Sequence, residues 1–182
     1  MCEYNRLNKG KEEEKMDSRD NAKKTARKVA LAGVFAALIF VATELHIPTA
    51  LGYIHLGDGV ILYCGYAIGP AAFLPAAIGS ALADLIAGYA VYIAPTFIIK
   101  GLMGAFAGFL LMKHKGIVIR ILAFLGAELI MLSGYFLFES FMYGLTAAKG
   151  AIVMNLIQAG AGIAMAFLLS QAHSLAEEKK KK

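Results

Sequence analysis

The chain has 182 residues, 59% of them hydrophobic, with 17% charged and a formal net charge of +5. Its mean hydropathy is +0.63, and a soluble domain of this length normally devotes about a quarter of its residues to charge. The charges crowd into residues 1–28 and 177–182, so the basic balance reads as flanks of membrane spans and not as a nucleic-acid surface.

Residues 1–25, rich in Lys, Glu, Asp and Asn, read as a poorly ordered cytoplasmic tail. They contain no apolar core of a cleavable signal peptide, and Met16 is an alternative start. A membrane domain is expected over residues 26–172, with a basic cytoplasmic tail over 173–182. Six apolar segments follow in order: Val29–Leu45, Leu56–Gly69, Ala71–Gly88, Ala94–Met112, Ile117–Tyr143 and Gly150–Gln171. Residues 59–87 taken as one helix would overrun the hydrocarbon core, and Gly69-Pro70 and Pro75 interrupt them. With six spans, 16 of the 18 basic residues lie on the side of the two tails, including the Lys113/Lys115/Arg120 turn. Five spans would place Lys179–Lys182 outside. The expected fold is therefore all-α, a six-transmembrane-helix bundle of the cell membrane with both termini cytoplasmic.

Ionisable side chains inside spans are costly, on the order of 2.5–3.5 kcal/mol each at mid-helix, so each needs a partner or a role. Here they share a depth. Glu44, His55, Asp58, Asp84, Lys100, Glu139, Asn155 and Gln158 all fall within roughly 12 Å of the outer boundary, and Glu128 lies deeper. Ser80-Asp84-Gly88, Thr96-Lys100-Gly104, Glu128-Leu132-Tyr135-Glu139 and Asn155-Gln158-Gly162 repeat at helical spacing. Tyr53, Tyr89, Tyr92, Phe97, Tyr135 and Phe138 add aromatic faces near the same level. An outward-open pocket lined by His55, Asp58, Asp84, Tyr92, Thr96, Lys100, Tyr135, Glu139, Asn155 and Gln158 is the expected binding site.

Simpler readings compete with it. Asp84 or Glu139 paired with Lys100 would merely lock helices together, and Asn155 and Gln158 would bond neighbouring helices. His46 and His55 have no cysteine or second carboxylate at metal-ligand spacing, so neither a metal nor a cofactor is expected. Cys2 and Cys64 are too few and too far apart for a disulfide framework. No G-x-x-x-x-G-K-[ST], H-E-x-x-H or G-x-S-x-G occurs, so the chain is not expected to be an enzyme. A scaffolding membrane protein without a ligand, or a membrane enzyme using His55, Asp58 and Glu139, are the other classes to weigh. Small residues at Ala32, Gly33, Ala36 and Ala37 give the first span a face on which a partner helix can dock. Gly104 and Gly108 do the same in the fourth, or pack inside the bundle.

Five segments, in order, carry a family resemblance: His55-Leu-Gly-Asp58-Gly-Val, Gly79-Ser-Ala-Leu-Ala-Asp84, Pro95-Thr-Phe-Ile-Ile-Lys100-Gly-Leu-Met-Gly104, Gly134-Tyr-Phe-Leu-Phe-Glu139 and Asn155-Leu-Ile-Gln158. Over residues 26–172 the chain resembles the substrate-binding S components of energy-coupling factor (ECF) vitamin transporters. The resemblance implies capture of a water-soluble vitamin or precursor at the outer face. Uptake is then driven by a transmembrane T subunit, docked on the Ala32/Ala36 face, and two cytoplasmic ATPases, with toppling of the S component releasing the load. The pattern looks closest to the riboflavin-type group that includes hydroxymethylpyrimidine and pyridoxine carriers. Gln158 stands where riboflavin carriers tend to have a basic residue, and those carriers tend to lack the His55-Leu-Gly-Asp58 turn, which counts against riboflavin. With Glu44, Asp58, Asp84 and Glu139 set against Lys100 alone, the charge balance favours hydroxymethylpyrimidine or a pyridoxine-like vitamer, with a cationic queuosine precursor as the variant if the acidic excess survives.

Overall fold

The computed structural model describes the backbone of residues 2–49 and 52–181, and the side chains of 16, 18–45 and 55–180. Among them are six helices: α1 (Cys2–Glu44), α2 (Gly57–Ile68), α3 (Phe73–Ile86), α4 (Ile93–Leu111), α5 (Ile117–Tyr143) and α6 (Leu145–Lys181). The tail expected at residues 1–25 is helical from Cys2 onward. Its Lys, Glu, Arg and Ala residues are strong helix formers, and its opposite charges recur at i, i+3 and i+4; Asp20 and Lys23 make one such pair at 3.9 Å.

The described residues are nearly all helical, as expected, with one exception. Between α1 and α2 lies a short antiparallel hairpin, β1 (His46–Thr49) with β2 (Gly52–His55), in the register His46 to His55 and Thr49 to Gly52. Pro48 and Gly52 suit a two-stranded ribbon better than a helix. The side chains of His46 and Tyr53 lie outside the described residues.

Among the described residues five stretches are long and apolar enough to cross a membrane, and Gly57–Ile86 counts as one of them. It is not straight. Gly69 adopts φ 70° and ψ −150°, a conformation open to glycine, and Pro70, without an N–H, starts a 3-10 turn over Gly69–Ala72. The contacts show a reversal there. Asp58 meets Lys100 and Gly65 faces Gly104 to Gly108, so α2 runs parallel to α4. Gly69 meets Gly108, Ala72 meets Gly104 and Phe73 meets Gly101, so α3 runs back the other way.

Gly104 and Gly108 have their place inside this packing. A Cβ on Gly104 would sit 3.0 Å from the Ala72 carbonyl, and one on Gly108 would collide with the Gly69 backbone and lie 2.7 Å from Pro70 N. Close helix approach demands small residues at such points. The core is apolar, built from Ile39, Ile61, Leu62, Met103, Phe124 and Met131. The outer face is apolar too: Phe141 is 87% exposed, Leu168 74% and Leu137 68%. A water-soluble monomer does not spread leucine and phenylalanine over its surface this way; a lipid-facing one does.

Candidate functional site

Where α3, α4, α5 and α6 converge, at the ends bearing Asp84, Tyr92, Glu139 and Ala151, they enclose an open cavity of about 320 Å³. Seven of the ten expected binding residues line it: Asp84, Tyr92, Thr96, Tyr135, Glu139, Asn155 and Gln158. Helical periodicity brings them together, since Asp84 ends α3, Thr96 opens α4, Tyr135 and Glu139 are one turn apart on α5, and Asn155 and Gln158 are one turn apart on α6. Tyr89, Ala151 and Met154 complete the lining. Ala151 and Met154 precede Asn155 and Gln158 by four residues, so the same spacing rule points to them, although neither carries a polar group that draws notice.

An aromatic cluster forms one wall. The Tyr92 ring lies 6.4 Å from Tyr89 and from Tyr135, and 5.2 Å edge-on to Phe138. The Thr96 and Tyr135 hydroxyls share a 2.9 Å hydrogen bond, and the Tyr92 hydroxyl donates to Glu139 Oε1 at 3.5 Å. These bonds orient the rings and leave other atoms unused. Asp84 Oδ2 and Glu139 Oε2 have no hydrogen-bond partner among the described residues, and neither does the Asn155 amide. Unlike an anion-binding site, the lining contains no Lys, Arg or His.

The other three expected residues do not line the cavity. Lys100 and Asp58, 3% and 0% exposed, form an ion pair beneath it. The simpler reading, in which Lys100 pairs with Asp84 or Glu139 to lock helices together, thus has the wrong partner. Because α2 runs parallel to α4, Asp58 in its first turn arrives level with Lys100, while Asp84 lies one turn outward beside Thr96. The Lys100 ammonium also lies 5.4 Å from the Tyr135 ring centroid. Gln158 joins the two layers: it lines the cavity and its Nε2 donates to Asp58 Oδ2 at 2.7 Å. His55 lies beside Gly57 and within electrostatic reach of Asp58. Deeper still, Glu128 is 2% exposed with neither carboxyl oxygen hydrogen-bonded among the described residues, close enough to Asp58 and Lys100 to feel their charges.

Of the small residues expected to dock a partner helix, Gly33 and Ala37 are exposed and Ala32 is half-buried. Ala36 turns its carbonyl toward Gly79, where a Cβ would come within 2.5 Å of it; part of the small-residue stripe thus serves packing within the chain.

Comparison with known proteins agrees with this architecture. The family model described as "ECF-type riboflavin transporter, S component" matches residues 23–175. Among curated proteins, the thiamine precursor transporter HmpT of Lactococcus lactis subsp. cremoris is 32% identical over 152 residues, covering 81% of this chain and 87% of that one. Among solved structures, the S component of a bacterial ECF transporter superposes with a TM-score of 0.67 at 18% identity, covering 87% of this chain and 99% of that one. At that identity the likeness concerns the fold alone.

Proposed function

The chain belongs to the family of ECF-type riboflavin transporter S components, and on that premise we propose that it captures hydroxymethylpyrimidine, a thiamine precursor, at the outer face of the cell membrane. As a multi-pass membrane protein of that family, it works with a transmembrane T subunit and two cytoplasmic ATPases, which supply the energy of uptake. The exposed Gly33 and Ala37, with Ala32 beside them, form the T-subunit face. Ala36 supports it from the packed side.

One observation carries the ligand reading: the cavity offers unpaired acceptors, Asp84 Oδ2 and Glu139 Oε2, beside an Asn155 amide, and no cation. Such a lining suits a small, donor-bearing planar ring stacked against tyrosine. An anionic vitamin would meet two carboxyl groups without a counter-charge, because Lys100 is held by Asp58 below. A cavity of about 320 Å³ lies near the lower end of the roughly 300–1,000 Å³ typical of ligand sites, which favours one ring over the three of riboflavin.

The six-crossing topology with cytoplasmic termini belongs to the same proposal. At 1.5 Å per residue α2 and α3 are only about 18 and 21 Å long, short of a hydrocarbon core of about 30 Å. Their broken junction nevertheless packs its Gly69 and Pro70 backbone against the buried Gly108, so protein and not lipid covers that side of the irregular backbone. Calorimetry with hydroxymethylpyrimidine, pyridoxine, riboflavin and a queuosine precursor tests the ligand. Glu139→Gln and Asn155→Ala should each weaken hydroxymethylpyrimidine binding at least tenfold, about 1.4 kcal/mol. Tight binding of an anionic vitamin, indifferent to both substitutions, would overturn the reading.

A further inference from the structure

Gln158 lines the cavity and hydrogen-bonds the buried ion pair below it; Tyr135, which also lines the cavity, offers that pair only a ring face, beneath the Lys100 ammonium. An amide is two-faced: its NH2 only donates and its carbonyl only accepts, so whichever end is tied down decides what the other offers. Asp58, bound to the Lys100 ammonium, is a carboxylate and only accepts. It therefore holds the NH2 of Gln158, by the 2.7 Å bond to Oδ2. The Oε1 of Gln158 accepts no hydrogen bond among the described residues. With the residue 8% exposed and lining the cavity, a bound molecule is the partner within its reach.

We infer that the Asp58–Lys100 pair is a positioning device that locks the Gln158 amide with its carbonyl toward the ligand, making the cavity floor selective for a ring that presents an N–H donor. This rests on the ligand class proposed above and adds the source of its specificity. Asp58 and Lys100 act through Gln158 and are not ligand contacts. Lys100 keeps Asp58 ionised without bringing a positive charge into the cavity, and without that charge the amide is free to flip. In hydroxymethylpyrimidine the matching group is the exocyclic amine. It is rigid and coplanar with the ring, whereas the hydroxymethyl group rotates and serves either as donor or as acceptor.

The test uses the full chain in lipid nanodiscs and two probes, 4-amino-5-hydroxymethyl-2-methylpyrimidine and the same ring lacking the amine. The unaltered chain should prefer the amine at least about tenfold, since a site built around a hydrogen bond rejects the analogue lacking it. Gln158→Met should reduce the preference to within about twofold. The double variant Asp58→Asn/Lys100→Met, which leaves Gln158 and the rest of the lining in place, should do the same, because a neutral amide at position 58 holds either end of Gln158. Equal binding of both probes by the unaltered chain sinks this inference and leaves the transport reading standing. Binding of neither removes the ligand class itself, and this inference with it. A double variant that binds with its tenfold preference intact shows that the pair only ties helices together. Side-chain-labelled glutamine gives a second reading that needs no altered pair. Adding the amine probe should move the Gln158 carbonyl carbon resonance and leave its amide nitrogen in place, with Gln158→Met providing the assignment. Movement of the nitrogen instead would overturn the proposed orientation.

Discussion

Lys100→Met probes the most charged part of the interior. Methionine keeps the length and most of the volume of the lysine stem, so lost packing should account for less than about 1.5 kcal/mol. The charge effect is larger. Asp58 is fully buried, its other partner is the Gln158 amide, and Glu128 stands nearby with no hydrogen bond among the described residues. Removing one member of a buried pair leaves an uncompensated charge and costs roughly 3–5 kcal/mol. The double variant Asp58→Asn/Lys100→Met removes both charges and should fall within about 1.5 kcal/mol of the unaltered chain. The chain has no tryptophan, so unfolding in detergent is best followed by labelling of Cys64, which is buried and reacts when the bundle opens. A Cys2→Ser background leaves it as the single thiol. If Lys100→Met costs less than about 1 kcal/mol, or the double variant costs as much as the single, the pair is not the desolvated unit described above.

Three further outcomes follow from the same structure. Reporters placed before Arg6 and after Lys182 should read cytoplasmic and one at Ala147 external; an external C-terminus would rule out six crossings. Gly33→Leu with Ala37→Leu, both at exposed positions, should abolish uptake by the assembled transporter while leaving ligand affinity within about twofold, and loss of binding instead would make that face part of the fold. Gly108→Ala forces a methyl against the Gly69 and Pro70 backbone and should destabilise by about 1–3 kcal/mol or more. In contrast, Gly150→Ala meets nothing within 4 Å and should be neutral or stabilise by up to about 1 kcal/mol. Equal effects in thermal unfolding would show the close approach of α4 to the turn between α2 and α3 to be misdrawn.

Much of this was legible in one dimension, because membrane spans and helical stripes depend on local quantities. Apolar run length located α2 to α5 within two residues of their ends, and ionisable groups stood out because lipid makes them costly. The repeats Thr96-Lys100, Tyr135-Glu139 and Asn155-Gln158 each point along one helix face, and the cavity gathers one or more residues from every such stripe. What no stripe reveals is rotation and offset between helices. Whether Lys100 meets Asp58 or Asp84 depends on α2 and α3 running in opposite directions along α4, which Gly69 and Pro70 bring about by reversing the chain. The same offset sorts the polar layer into a cavity lining and a buried pair beneath it, and it turns Gly104 and Gly108 inward. The hairpin at His46–His55 also escaped a reading based on helical period, since its strand pairing is a contact between residues up to nine positions apart. Sequence alone determined which side chains lie at the level of the site; only the packing of α2, α3 and α4 decided which of them face a ligand and which face one another, because charges in a bundle pair by depth and direction and not by order along the chain.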